Sequence, residues 1–212
     1  MKVIAVTGGI GSGKSAACRF LNRTYGWPVY DADRRVKELY EVHPTLLSDI
    51  EKALGRCFRD MEGNFSPRML AEVIFSDKGA LDIVEGIIFP ILIADFAAWK
   101  RGQSSDCVVL ESATVLEKQS LKDMWDVLLI IDAPAGVRAE RAAERDGVSL
   151  DSVCARMACQ PMMNAVSEGF VPSSADYVLI NDSTEQNMQN LLKKWVEKQY
   201  NKNVFTENNN VK

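Results

Sequence analysis

Val3-Ile4-Ala5-Val6-Thr7-Gly8-Gly9-Ile10-Gly11-Ser12-Gly13-Lys14-Ser15 passes from an apolar segment into a glycine-rich turn that ends in Lys-Ser. The opening reads as a buried strand, and Gly8 to Ser15 completes the phosphate-loop pattern G-x-x-x-x-G-K-[ST]. Glycines let successive backbone N–H groups turn inward on phosphate oxygens, and a helix starting near Gly13 points its positive dipole end at the same anion. Lys14 has the reach to meet β- and γ-phosphates as a point charge, while the Ser15 hydroxyl suits an inner-shell position on Mg²⁺. A glycine-rich turn with an incidental Lys-Ser is the alternative, and the order strand, loop, helix argues against it. The pattern predicts a site for a nucleoside triphosphate.

Downstream, Ala17, Cys18, Phe20 and Leu21 recur at helical spacing over residues 14–25, and Gly26 with Pro28 supplies a stop. Residues 28–30 read as a short second strand, Asp31-Ala32-Asp33 follows it, and residues 34–41 read as helix before the His43-Pro44 break. Strand signals then cease over residues 45–101. Leu46, Leu47, Ile50 and Leu54 make one helical stripe, and Met69, Leu70, Val73 and Ile74 make a second behind a Ser66-Pro67 start. A third helix carries Ile83 to Phe96, with Pro90 as a kink or break. Residues 107–110, ending at Glu111, and 127–131, ending at Asp132, read as parallel strands covered on both faces. Helices are expected at 137–145 and 150–160, split by Asp146-Gly147, then a strand at 177–180, a helix at about 185–198, and a loose polar tail over 201–212.

A chain of 212 residues with 47% hydrophobic and 25% charged residues suits one α/β domain with insertions. Its net charge of −4 offers no general attraction to nucleic acid or an acidic membrane, so a polyanion must be held by local donors. The five cysteines are scattered without a C-x-x-C pair, which suggests neither a disulfide framework nor a zinc site, and most are expected as small core side chains. No cationic leader precedes Val3 and no apolar run approaches about 18 residues, so a soluble cytoplasmic protein is expected. The sequence sets no oligomeric state.

In an open parallel sheet the ligand lies beyond the carboxyl ends of the strands, and three such ends deliver Gly8, Asp33 and Glu111 to that edge. Phosphoryl transfer needs an oriented nucleophile, and Asp33 is the candidate for orienting or deprotonating an acceptor hydroxyl, with Asp31 left to cap the following helix. Glu111 reads either as an acid holding Mg²⁺ or as a strand-end acid paired with a neighbouring cation. Arg138, Arg141 and Arg145 share one helix face, joined by Arg156 from the next helix. That face is either a solvated surface balanced by Glu140 and Glu144 or part of a helical lid over a polyphosphate. His43 reads as a loop residue, and the four Trp as core or partial core.

The ordered set Thr7 to Ser15, Tyr30-Asp31-Ala32-Asp33, Arg141 with Arg145-Asp146-Gly147, Arg156 with Gln160, and Ala175-Asp176-Tyr177-Val178 ending in Asn181 resembles dephospho-CoA kinase over nearly the whole chain. The resemblance implies an α/β fold of the P-loop NTPase type, with a parallel five-stranded sheet, a helical substrate-binding insertion and a small helical lid. The corresponding subregions are a nucleotide-binding core at 1–42, 102–137 and 172–200, a helical CoA-binding insertion at 43–101 and a lid at 138–171. It further implies ATP and Mg²⁺ as cofactors, dephospho-CoA as the small-molecule substrate, and transfer of the γ-phosphate to the ribose 3′-hydroxyl. By position, Gly8, Gly9, Gly11, Ser12, Gly13, Lys14, Ser15 and Ala16 are implied to hold the ATP phosphates, and Asp33 to act as base. Arg141 is implied to lie over the nucleotide and Asn181 near the adenine. Phe89-Pro90 stands where the family has His-Pro, Pro67 where an Arg is common, and residues 111–117 lack the usual Pro-Leu-Leu wording. These departures keep open a kinase of another small metabolite or nucleoside; the alternative of another class is a non-catalytic ATP-binding switch, against which Asp33 and the Lys14-Ser15 pair argue.

Overall fold

Lys2 to Val6 pair in parallel with Cys107 to Glu111 on one side, while Ile4 to Thr7 pair with Val127 to Ile130 on the other. The first strand is therefore the centre of the sheet. The computed structural model describes residues 1–207. Its elements are β1 (Lys2–Thr7), α1 (Lys14–Tyr25), β2 (Val29–Asp31), α2 (Ala32–Val42), α3 (Leu46–Leu54), α4 (Pro67–Ser76) and α5 (Lys78–Arg101). There follow β3 (Cys107–Glu111), β4 (Val127–Asp132), α6 (Ala135–Asp146), α7 (Leu150–Ala158), α8 (Pro161–Ser167), β5 (Tyr177–Ile180) and α9 (Glu185–Glu207). The strands form one sheet in the order β2-β3-β1-β4-β5.

The chain divides into two compact units, one of residues 1–29 with 105–212, the other of residues 30–104. In the first, β1, β3 and β4 are buried on both faces, as fully covered parallel strands require. One face packs Ile4, Val6, Val109, Leu129 and Ile131 against Ala17, Phe20 and Leu21 of α1 and Leu192 and Trp195 of α9. Among the described residues no helix is long and apolar enough to cross a membrane.

The second unit packs α3 and α4 on α5, with Leu46, Leu47, Ile50, Leu70, Val84, Ile88, Leu92 and Phe96 buried. It begins at Tyr30 rather than at residue 43, because α2 packs on α3 and α5. Arg35 closes a two-point bond on Asp95 of α5, Nε to Oδ2 at 2.9 Å and Nη2 to Oδ1 at 2.7 Å, and the Tyr30 hydroxyl donates to the same carboxylate at 2.7 Å. Pro90 does not end α5, which continues through it to Arg101. The carbonyl that a proline orphans four residues earlier belongs to Gly86, which is exposed, so water can replace the lost bond.

Other expectations need correction. α9 continues past residue 198 to Glu207, so the expected tail is helical to that point, and its remainder, 208–212, lies outside the described residues. α8 and a short 3₁₀ turn at Gln119–Met124 carry too little periodic pattern to have been expected. Only Cys18 and Cys107 are buried; Cys57, Cys154 and Cys159 are exposed, and none of the five is in a disulfide.

Candidate phosphate-binding site

The loop between β1 and α1 owes its path to residues without side chains. Gly13, immediately before α1, sits at φ 102, a left-handed conformation that L side chains rarely adopt. A Cβ there would run into the side-chain amide of Asn181, which donates to the Ser12 carbonyl at 2.9 Å. Asn181 follows β5 directly and is 7% exposed, so the loop is fixed from the far end of the sheet by a buried bond. Arg141 of α6 in turn donates from Nη1 to the Asn181 carbonyl at 2.9 Å and from Nη2 to the Ser183 carbonyl at 3.3 Å.

The crest is held from another direction. Ile10 N–H donates to Gln160 Oε1 at 2.9 Å, and its side chain packs with Ala139, Ala142, Val153 and Met157, the apolar seam of α6 and α7. The Lys14 ammonium folds back on the loop, donating to the carbonyls of Gly8 at 2.8 Å and Gly9 at 3.3 Å. Ser15 lies in the first turn of α1, where its hydroxyl donates to Glu111 Oε1 at 2.6 Å. Glu111, at the carboxyl end of β3, is 8% exposed. This acid thus accepts from a hydroxyl, and the pair is a matched set of hard oxygen donors beside the helix N-terminus. Ala16 continues α1 beyond it, half-buried against the core.

The structure thereby assembles Gly8 to Ser15, Glu111, Arg141 and Asn181 within one unit. Asp33 lies in the other, exposed in the first turn of α2, two residues past the end of β2. Asp31 caps α2, accepting from Arg34 N–H at 2.9 Å. His43 accepts the Leu46 N–H at 3.1 Å, the loop role expected of it.

The arginine row does not share one fate. Arg138 is buried, Arg141 is half-buried, and Arg145 is exposed with both Nε and Nη2 on Asp146. Arg156 joins that carboxylate at 2.8 Å, and the hydrogen bonds from Arg145 and Arg156 hold Asp146 well below the usual carboxylate range. Sequence reasoning missed Gln160 and Asn181 as braces of the loop, because a neutral amide carries no spacing signal of its own.

A family model described as dephospho-CoA kinase matches residues 2–187 of this chain. The chain belongs to the dephospho-CoA kinase family. A dephospho-CoA kinase of Porphyromonas gingivalis is 35% identical over 181 residues, covering 85% of this chain and 86% of its own length. One from Acinetobacter baylyi is 31% identical over 182 residues, covering 86% and 90%. Among solved structures, the Thermus thermophilus protein TT1252 superposes with a TM-score of 0.77 at 26% identity, covering 93% of this chain and 97% of that one. The match to the dephospho-CoA kinase family thus spans both units, including the positions at which this chain departs from the expected wording. Of those, Phe89 is half-buried in α5, Pro67 opens α4, and Arg68 beside it pairs with Glu72 at 3.0 Å.

Proposed function

We propose that this protein transfers the γ-phosphate of ATP to the ribose 3′-hydroxyl of dephospho-CoA, giving coenzyme A and ADP. What carries the reading is the built donor loop, with Lys14, Ser15 and Glu111 at one helix N-terminus, in a chain matched to the family over residues 2–187. Phosphoryl transfer asks little covalent chemistry of a protein; it asks for positioning and for positive charge over the phosphate oxygens. The loop N–H groups and Lys14 supply that charge. Arg141, already anchored beside Asn181, is assigned to the nucleotide, and Asn181 to the adenine side. Asp33 is assigned to the acceptor: its carboxylate takes the proton of the 3′-hydroxyl as that oxygen bonds to the γ-phosphorus. The bond to the bridging oxygen breaks, and its electron pair leaves on ADP.

Ser15 and Glu111 fit Mg²⁺, because their oxygens already meet and the ion tolerates a site of one or two protein ligands completed by phosphates and water. Among the described residues there is no cluster of three or more metal-ligating acids, histidines or cysteines that would form a closed cage. When bound, the ion would neutralise charge on the β- and γ-phosphate oxygens. The exposed free thiols Cys57, Cys154 and Cys159 support a reducing, cytoplasmic location.

The test is incubation with Mg-ATP and dephospho-CoA, followed by mass detection of coenzyme A. Product formation dependent on both reactants is expected. ADP formation with another small metabolite or nucleoside, and none with dephospho-CoA, would overturn the acceptor; ATP binding with no acceptor-dependent ADP would overturn catalysis.

A further inference from the structure

We infer that Arg138 is a fixed buried cation beneath the phosphate loop, a positioning residue that selects nucleotides by the charge of their phosphate chain. The inference rests on the reading of the loop as an ATP site, and not on the identity of the acceptor. Arg138 belongs to the opening turns of α6 and is 1% exposed. Its Nε and Nη1 have no hydrogen-bond partner. An opposite charge stands at Asp132, whose Oδ1 is 3.9 Å from Nε, too far for a hydrogen bond; that oxygen instead accepts from the Ser167 hydroxyl at 2.9 Å.

The guanidinium leans on the loop itself. A Cβ at Gly9 would collide with Arg138 Nη1, so a glycine at the first variable position of the pattern makes room for this side chain. Burial works against the charged form and lowers the guanidinium's pKa, yet arginine stays protonated in proteins. A buried charge with two orphan nitrogens is expensive to keep unless an opposite charge arrives. The phosphates cradled by the same loop bring one. Arg138 acts on them through Gly9 and through space, in surroundings where charge is poorly screened. ATP, ADP and adenosine share one nucleoside and carry falling negative charge, so they sample that field in steps.

The experiment measures binding of ATP, ADP and adenosine by calorimetry to the full chain without acceptor. In Arg138→Gln and Arg138→Met, ATP should bind roughly tenfold more weakly, ADP less affected and adenosine unchanged, with Arg138→Lys in between. Asp132→Asn removes the opposing charge and should tighten ATP relative to adenosine. Equal losses for ATP and adenosine in the Arg138 variants would overturn the inference, as would an Asp132→Asn protein that loses ATP affinity as they do. Should the Arg138 variants fail to fold, Asp132→Asn decides alone: selective tightening supports the inference and its absence overturns it. A wild-type protein that binds no ATP would remove the ATP site as well, an outcome distinct from a uniform loss in the variants.

Discussion

At the scale of single residues, the two acids of Asp31-Ala32-Asp33 have separate environments. Asp31 is committed to the α2 N-terminus, whereas Asp33, two residues later, is exposed. Asp33→Asn should lower turnover by about 10²- to 10⁴-fold, the usual worth of a positioned base, while ATP affinity stays unchanged; paired kinetics and calorimetry would check this, and full activity would remove Asp33 from the chemistry. Asp95 makes a different prediction. Hydrogen bonds from Arg35, opposed by burial, hold its carboxyl below the usual carboxylate range. A group depressed on folding contributes stability above its unfolded pKa of about 4 and loses it as pH falls through the folded value. The stability gap between wild type and Asp95→Asn, measured by denaturant titration, should therefore narrow as pH drops below about 4.

Among elements, legibility followed the kind of information each one needs. β1, α1, β3 and β4 announce themselves through apolar runs and stripes, and Gly26 ends α1 in the left-handed conformation its position requires. α8 is short and begins at Pro161, so it has no stripe to read; α5 runs through Pro90 only because the face it opens is exposed. The site divides in the same way: the pattern Gly8 to Ser15 is local, but Glu111 meets Ser15 from 96 positions away and the Gln160 contact spans 150. The buried fate of Arg138 was not readable from its i, i+3 spacing with Arg141, because spacing fixes a face and not what covers it. Two element-scale substitutions should be informative. Asn181→Ala leaves the Ser12 carbonyl without its buried donor and should cost about 1–3 kcal/mol by denaturant unfolding, with weaker ATP binding. Leu92→Ala empties a buried position of α5 and should cost about 2–5 kcal/mol, with faster amide exchange in residues 30–104.

For the whole molecule, one continuous segment, residues 30–104, forms its own unit, while the first unit is built from two separated stretches of chain. ATP engages the first unit alone in the assignments made above for the loop, Glu111, Arg141 and Asn181. At a concentration about 100 times its dissociation constant, ATP should stabilise the protein by about 2.7 kcal/mol, with the added amide protection in the β1–α1 loop, α6 and the segment after β5. Protection confined to residues 30–104 would contradict those assignments.

The bond from Asn181 to the Ser12 carbonyl also bears on when the site comes into being. Residues 8–15 leave the ribosome before the groups that brace them, Gln160 and Asn181, which follow 150 and 169 positions behind the residues they hold. A nascent chain carries the whole glycine-rich pattern long before it carries the parts that give the pattern its shape. The motif is therefore made well before it becomes a working receptor, and a chain that stalls before residue 181 presents its signature without its grip.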